Sequence, residues 1–198
     1  MTLETPASPP RPSATAALEQ ATFRALLTAM SRPGSIHELP SPREDDGSWG
    51  AALVVLQSLL DHEVTFHVAA SDGYPREQLL RRTGARVAEL ASADFVLAHR
   101  ERALAAIEGA REGPFEEPER SATVVVLCSE VGVGEVTLRL SGPGVDGEGF
   151  LSVDGVTREA FESLVARNAP FPTGIDLVLV DQRRGVACLP RSTSIQIS

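Results

Sequence analysis

The stretch LRLSGPGVDGEG, Leu138 to Gly149, follows an apolar strand-like run, and glycines after a strand can hold a phosphate on their backbone N–H groups. Such a cradle needs the glycine loop to lead straight into a helix whose N-terminus faces the anion. Here the loop leads into FLSVDG, which reads as extended, and Pro143 removes one of the N–H donors. Local chemistry therefore predicts a tight turn.

Two arginines stand where elements end. Arg32 lies in MSRPG and Arg191 in LPRSTSI, just beyond an apolar strand, and a guanidinium at such a place can fork onto phosphate. Against this, arginines in such places are more often solvated or paired with a carboxylate. Asp61 and Glu63 flank His62 in LLDHEVTF, a carboxylate–imidazole set that could move protons. Neighbours on a strand point to opposite faces, so His62 is expected to be exposed. Asp176 opens the otherwise apolar DLVLV, and a charge there sits at a sheet end or pairs with an arginine, pairing being the favoured reading. Ser192, Thr193 and Ser194 cluster after Arg191 without a G-x-S-x-G elbow or a spaced histidine. Local chemistry thus supplies no catalytic triad, metal site or nucleotide motif.

Composition narrows the chemistry further. All 18 basic residues are arginine, and the absence of lysine excludes Schiff-base chemistry, pyridoxal phosphate included, and a P-loop. No cofactor is expected. A net charge of −9 argues against a nucleic-acid partner. Cys128 and Cys188 sit in apolar runs without a CxxC pair, so buried free thiols are expected and no zinc site. No stretch approaches the about 18 apolar residues of a membrane helix, and the first residues lack the pattern of a signal peptide, which predicts a cytoplasmic protein.

These residues must be positioned by a single domain, since 198 residues is short for two. Residues 1–15 read as a disordered Pro-rich tail and 16–198 as the folded part. LEQATFRALLTAM is a helix with Leu18, Phe23, Leu26, Leu27 and Met30 near helical spacing, ended by SRPG. A loop over ELPSPREDDGS precedes a buried helix from Trp49 to Leu60. EVTFHVA alternates Val64, Phe66 and Val68 as a strand, followed by a helix in YPREQLLRRTG, a strand in ADFVLA and a helix in RERALAAIEGA. ATVVVLC is apolar on both faces and reads as a central strand, with EVTLRL as its neighbour. TREAFESLVARNAP is a helix with Ala160, Phe161, Leu164 and Val165 inward, and GIDLVLVDQRRGVACLP is two strands around a turn before a short extended tail. Helices interspersed with strands predict an α/β layered domain with a mixed central sheet flanked by helices.

Taken in order, FRALLTAMSRPG, LLDHEVTF, ADFV, PERSATVVV, LRLSGPGV, FPTGIDLVLVD and LPRSTSI resemble the PhnH family, subunits of the bacterial carbon–phosphorus lyase system for phosphonate use. The likeness runs from about Phe23 to Ile195. It implies a fold similar to the large domain of pyridoxal-phosphate-dependent transferases, without that cofactor. It further implies a homodimer that assembles with the PhnG, PhnI, PhnJ and PhnK subunits. The system's first step transfers the ribose triphosphate of ATP to an alkylphosphonate, displacing adenine, and subunits of this family are required for it. Arg32, Asp61, Gly142, Gly144, Asp176 and Arg191 carry over as motif positions that line a shared surface for ATP or alkylphosphonate, with no catalytic role assigned. The alternative is a catalytically silent dimeric scaffold. Two departures from the family pattern are Ser121 in PERSAT, in place of glycine, and Ser192 in LPRST, in place of threonine.

Overall fold

The computed structural model describes residues 13–198, so the expected tail lies outside the described residues up to residue 12. Ser13 is already a helix cap: its hydroxyl accepts the Ala16 N–H at 3.2 Å. Helix α1 (Ala14–Ser31) therefore starts two residues before the predicted end of the tail. It stops at Arg32, whose N–H still reaches the Thr28 carbonyl, because Pro33 cannot continue the ladder. The other helices are α2 (Gly50–Gln57), α3 (Tyr74–Thr83), α4 (Ala103–Gly109) and α5 (Arg158–Asn168).

Among the described residues ten strands accompany them. In chain order they are β1 (His37–Glu38), β2 (Thr65–Ala69), β3 (Arg86–Val87), β4 (Phe95–His99) and β5 (Thr123–Leu127), then β6 (Glu130–Ser141), β7 (Gly149–Asp154), β8 (Asp176–Val180), β9 (Gly185–Leu189) and β10 (Ser194–Ile197). Seven form the main sheet in the order β1-β9-β8-β5-β4-β2-β3, with β1 and β9 antiparallel at one end and the other five parallel. This is the predicted mixed sheet, and β5 is its middle strand. Val124 and Val126 pack with α4, α5 and the underside of a second sheet, while Val125 and Leu127 pack with α1 and α2. Burial on both faces is why the run ATVVVLC shows no polar alternation.

The second sheet, β10-β6-β7, corrects the expectation that EVTLRL neighbours the central strand. Leu138 and Leu140 are buried but Arg139 between them is exposed, so β6 has one wet face. A strand with one polar face does not fit a sheet covered on both sides. Of the apolar residues at helical spacing in α1, Leu26 is buried but Phe23 and Leu27 are exposed, and Thr22 and Ala29 meet the sheet beside Leu26. Small residues let the helix approach closely, and the Thr22 hydroxyl satisfies itself on the Leu18 carbonyl at 2.9 Å. Val165 of α5 likewise lies at the rim rather than inward. The predicted loop after α1 contains β1 and a 3-10 segment over Glu44–Trp49, and the helix predicted from Trp49 to Leu60 runs over Gly50–Gln57.

Cys128 and Cys188 are free and buried, as expected. Burial pushes both thiols up to about 12.

Candidate functional site

At the amino ends of the parallel strands, β8 begins with Asp176 and β9 finishes beside it, because the two run antiparallel with Leu177 opposite Leu189. The chain leaving β9 turns at Pro190, and Arg191 folds back on Asp176. Its backbone N–H donates to Oδ1 at 2.8 Å, and its guanidinium donates to Oδ2 at 2.8 Å. Nη1 donates to the Pro118 carbonyl in the segment that enters β5. One guanidinium thus ties three segments together, with both side chains about one-fifth exposed. The favoured reading of Asp176 as an arginine's partner holds.

The turn between β6 and β7 lands on the same corner. A side chain at Gly142 would come within 3.1 Å of the Ser192 carbonyl, and one at Gly144 within 2.2 Å of the Ser31 carbonyl and 2.9 Å of Pro33. Gly144 has φ +82°, a left-handed conformation that glycine adopts without strain. The SGPG turn is therefore wedged between SRPG, which closes α1, and RSTS, which joins β9 to β10. Five of the six predicted site residues (Arg32, Gly142, Gly144, Asp176 and Arg191) belong to segments meeting here. The loop is a hairpin turn between two antiparallel strands and leads into no helix, as its local chemistry predicted.

Asp61 is elsewhere. It precedes β2, three strands from β8 in the sheet, where its Oδ1 accepts the Glu63 N–H at 2.8 Å in a local turn. His62 beside it is exposed, as predicted.

A cleft of about 510 Å³ opens at the corner, lined among others by Pro143, Val165, Asn168, Phe171, Arg191 and Thr193. A smaller depression of about 360 Å³ beside it shares Phe171, Arg191 and Ser192 and includes Asp176. Phe171 is 62% exposed at the mouth of both. Chemically the corner offers apolar rims and backbone edges. The donors of Arg191 are largely spent on Asp176 and Pro118, which leaves Arg32, exposed and without an ion-pair partner among the described residues, as the available cation of the SRPG, SGPG and RSTS turns. Ser121, where the family pattern has glycine, sits at φ −70°, ψ 156°, an ordinary extended conformation, so no glycine is required there.

A second concavity was not legible in the sequence. It lies at the opposite, carboxyl ends of β2 and β4 and holds Trp49, Asp72 and His99. Trp49 reads locally as the start of an apolar helix, and only the strand order brings it beside the other two.

Comparison with known proteins places the chain in context. The family described as bacterial phosphonate metabolism protein (PhnH) matches residues 13–196. The chain is 40% identical over 183 residues to a putative C-P lyase subunit protein HtxG of Stutzerimonas stutzeri, covering 90% of this chain and 86% of that one. It is 30% identical over 181 residues to the alpha-D-ribose 1-methylphosphonate 5-triphosphate synthase subunit PhnH of Rhizobium meliloti (strain 1021), covering 89% and 90%.

Proposed function

Because the chain belongs to the PhnH family of bacterial phosphonate metabolism proteins, we propose that it is a subunit of a carbon–phosphorus lyase assembly. In this reading it is required, with its partner subunits, for transfer of ribose 5-triphosphate from ATP to an alkylphosphonate. The observation that carries the reading is the match, over about nine-tenths of this chain, to two relatives named as subunits of such systems. The convergence of the motif segments supports a working surface at the corner of the sheet. The cleft presents the hydroxyls of Ser192, Thr193 and Ser194 with no histidine or carboxylate in its lining to activate them, and its exposed Phe171 suits contact with another subunit.

The division of labour we infer is that the chemistry belongs to the assembled complex and the isolated chain releases no adenine from ATP. Partners of the PhnG, PhnI, PhnJ and PhnK type and a second copy of this chain are the expected company, in the cytoplasm. Kinship in fold with pyridoxal-phosphate-dependent transferases would carry no cofactor role, since the chain has no lysine to hold it.

The experiment is co-purification of the tagged protein with those four subunits, followed by assay of adenine release from ATP and methylphosphonate. The complex is expected to be captured and active, and to lose activity when this chain is omitted. Adenine release by the chain alone, or full activity of a complex lacking it, would overturn the reading. Arg32→Ala is expected to reduce activity or capture with an unchanged melting temperature. Arg191→Ala is expected to lower the melting temperature, because it unties Asp176 and Pro118.

A further inference from the structure

The five parallel strands lie in the order β3-β2-β4-β5-β8. Along the chain, β2 is followed outward by β3, after which the chain returns past β2 to β4 and continues the other way. The direction of winding reverses between β2 and β4. At such a reversal the loops leaving the two strands diverge and leave a crevice outside the carboxyl ends, the place where open α/β sheets take their ligands. A crevice of about 200 Å³ is present there, lined among others by Ser48, Trp49, Ser71, Asp72, His99 and Glu101.

Trp49 and Asp72 are held in place by the fold. The Trp49 Nε1–H donates to Asp72 Oδ2 at 3.0 Å, and Asp72 Oδ1 accepts the Tyr74 N–H at 2.8 Å. Each oxygen of Asp72 keeps a further lone pair. The Trp49 and His99 rings meet edge to face with centroids 5.7 Å apart. His99 Nδ1 lies 3.9 Å from a Glu101 carboxylate oxygen.

The lining selects a ligand class. Two carboxylates and no arginine oppose a phosphate. No cluster of three metal-ligating side chains exists among the described residues. An ammonium could donate to the carboxylates and to an imidazole lone pair but leaves an imidazole N–H unmatched, whereas a hydroxyl both donates and accepts hydrogen bonds. The volume suits a sugar ring rather than a whole nucleotide.

We propose that this crevice binds the vicinal diol of a ribose unit, with Asp72 accepting hydroxyl protons, His99 and Glu101 completing the polar wall and Trp49 forming the apolar one. The inference goes beyond the subunit role proposed above and does not depend on it: its failure would leave capture and activity of the complex untouched.

Trp49 is the only tryptophan of the chain, so its emission reports the crevice directly. The full-length protein is titrated with adenosine, with 2′-deoxyadenosine as the matched probe lacking the diol and choline as the cationic probe. The expected result is a saturable change with adenosine and at least tenfold weaker binding of 2′-deoxyadenosine. Asp72→Asn is expected to weaken adenosine binding by a similar factor. Glu101→Gln, at an exposed side chain that the fold does not need, is expected to weaken it several-fold. No saturable change with adenosine, equal affinity for the two nucleosides, tighter binding of choline, or unchanged affinity in both variants would overturn the proposal.

Discussion

If the motif corner is a rigid junction of three turns, glycine is needed at Gly144 for contact as well as for backbone geometry, and the two causes can be separated within one loop. Gly147 shares the positive φ, at +68° against +82° for Gly144, but a side chain there would meet nothing within 4 Å. Gly147→Ala therefore carries only the left-handed backbone cost of about 1–2 kcal/mol, partly offset by reduced freedom of the unfolded chain. Gly144→Ala carries the same cost plus an overlap at 2.2 Å with the Ser31 carbonyl and at 2.9 Å with Pro33. A backbone atom cannot swing aside as a side chain can, so the overlap adds about 2–3 kcal/mol, the upper part of the range for overpacking. Near this chain length each kcal/mol lowers the melting temperature by about 2–4 °C, giving about 10 °C for Gly144→Ala and about 3 °C for Gly147→Ala. Thermal unfolding followed by circular dichroism reads both. Equal shifts in the two variants would refute the wedge between the three turns and reduce SGPG to a free hairpin tip.

Two further predictions concern buried groups away from the corner. The Asp46 side chain is 1% exposed and forks onto Arg82 at 2.6 and 2.9 Å. Burial pushes its pKa up, but the hydrogen bonds and charge of Arg82, with the Tyr74 hydroxyl, outweigh that and hold it below the usual carboxylate range. A depressed folded pKa means that this stabilisation is complete above the unfolded value, about 3.9, and is lost as pH falls through the folded one. Arg82→Ala is expected to cost about 3–5 kcal/mol at neutral pH, measured by urea unfolding, and the gap to the native protein should narrow below about pH 4. A gap independent of pH would contradict the assignment. The Cys128 and Cys188 thiols, pushed up to about 12 by burial, should give no reaction with a thiol reagent in the native protein and two equivalents in denaturant. A fast-reacting native thiol would show that one of them is reached by opening of the sheet.

The element types were largely legible because their periods are local. DLVLV and GVACL flank a turn, PREQLLRR carries its proline at the start, and ATVVVLC announces a strand covered on both faces. The turn at SGPGV could be recognised as a turn because Pro143 and the extended segment after it rule out a helix-capped cradle. Exclusions followed from composition alone, as with the absent lysine. Pairing and facing were not legible. EVTLRL went to a second sheet because its one wet face had no place in a doubly covered one, and Phe23 and Leu27 faced outward because α1 docks through Thr22 and Ala29. Local spacing could not distinguish Arg191 as a free cation from Arg191 as the tie between β8, β9 and the segment before β5. That required the antiparallel return of β9, which sets Asp176 beside it. The same holds for Trp49, Asp72 and His99, far apart in the chain and joined only by the reversal of strand order between β2 and β4. Sequence determines what each residue can donate, accept or bury; which residues share a site is decided by strand order, a property of the whole sheet that no short stretch carries.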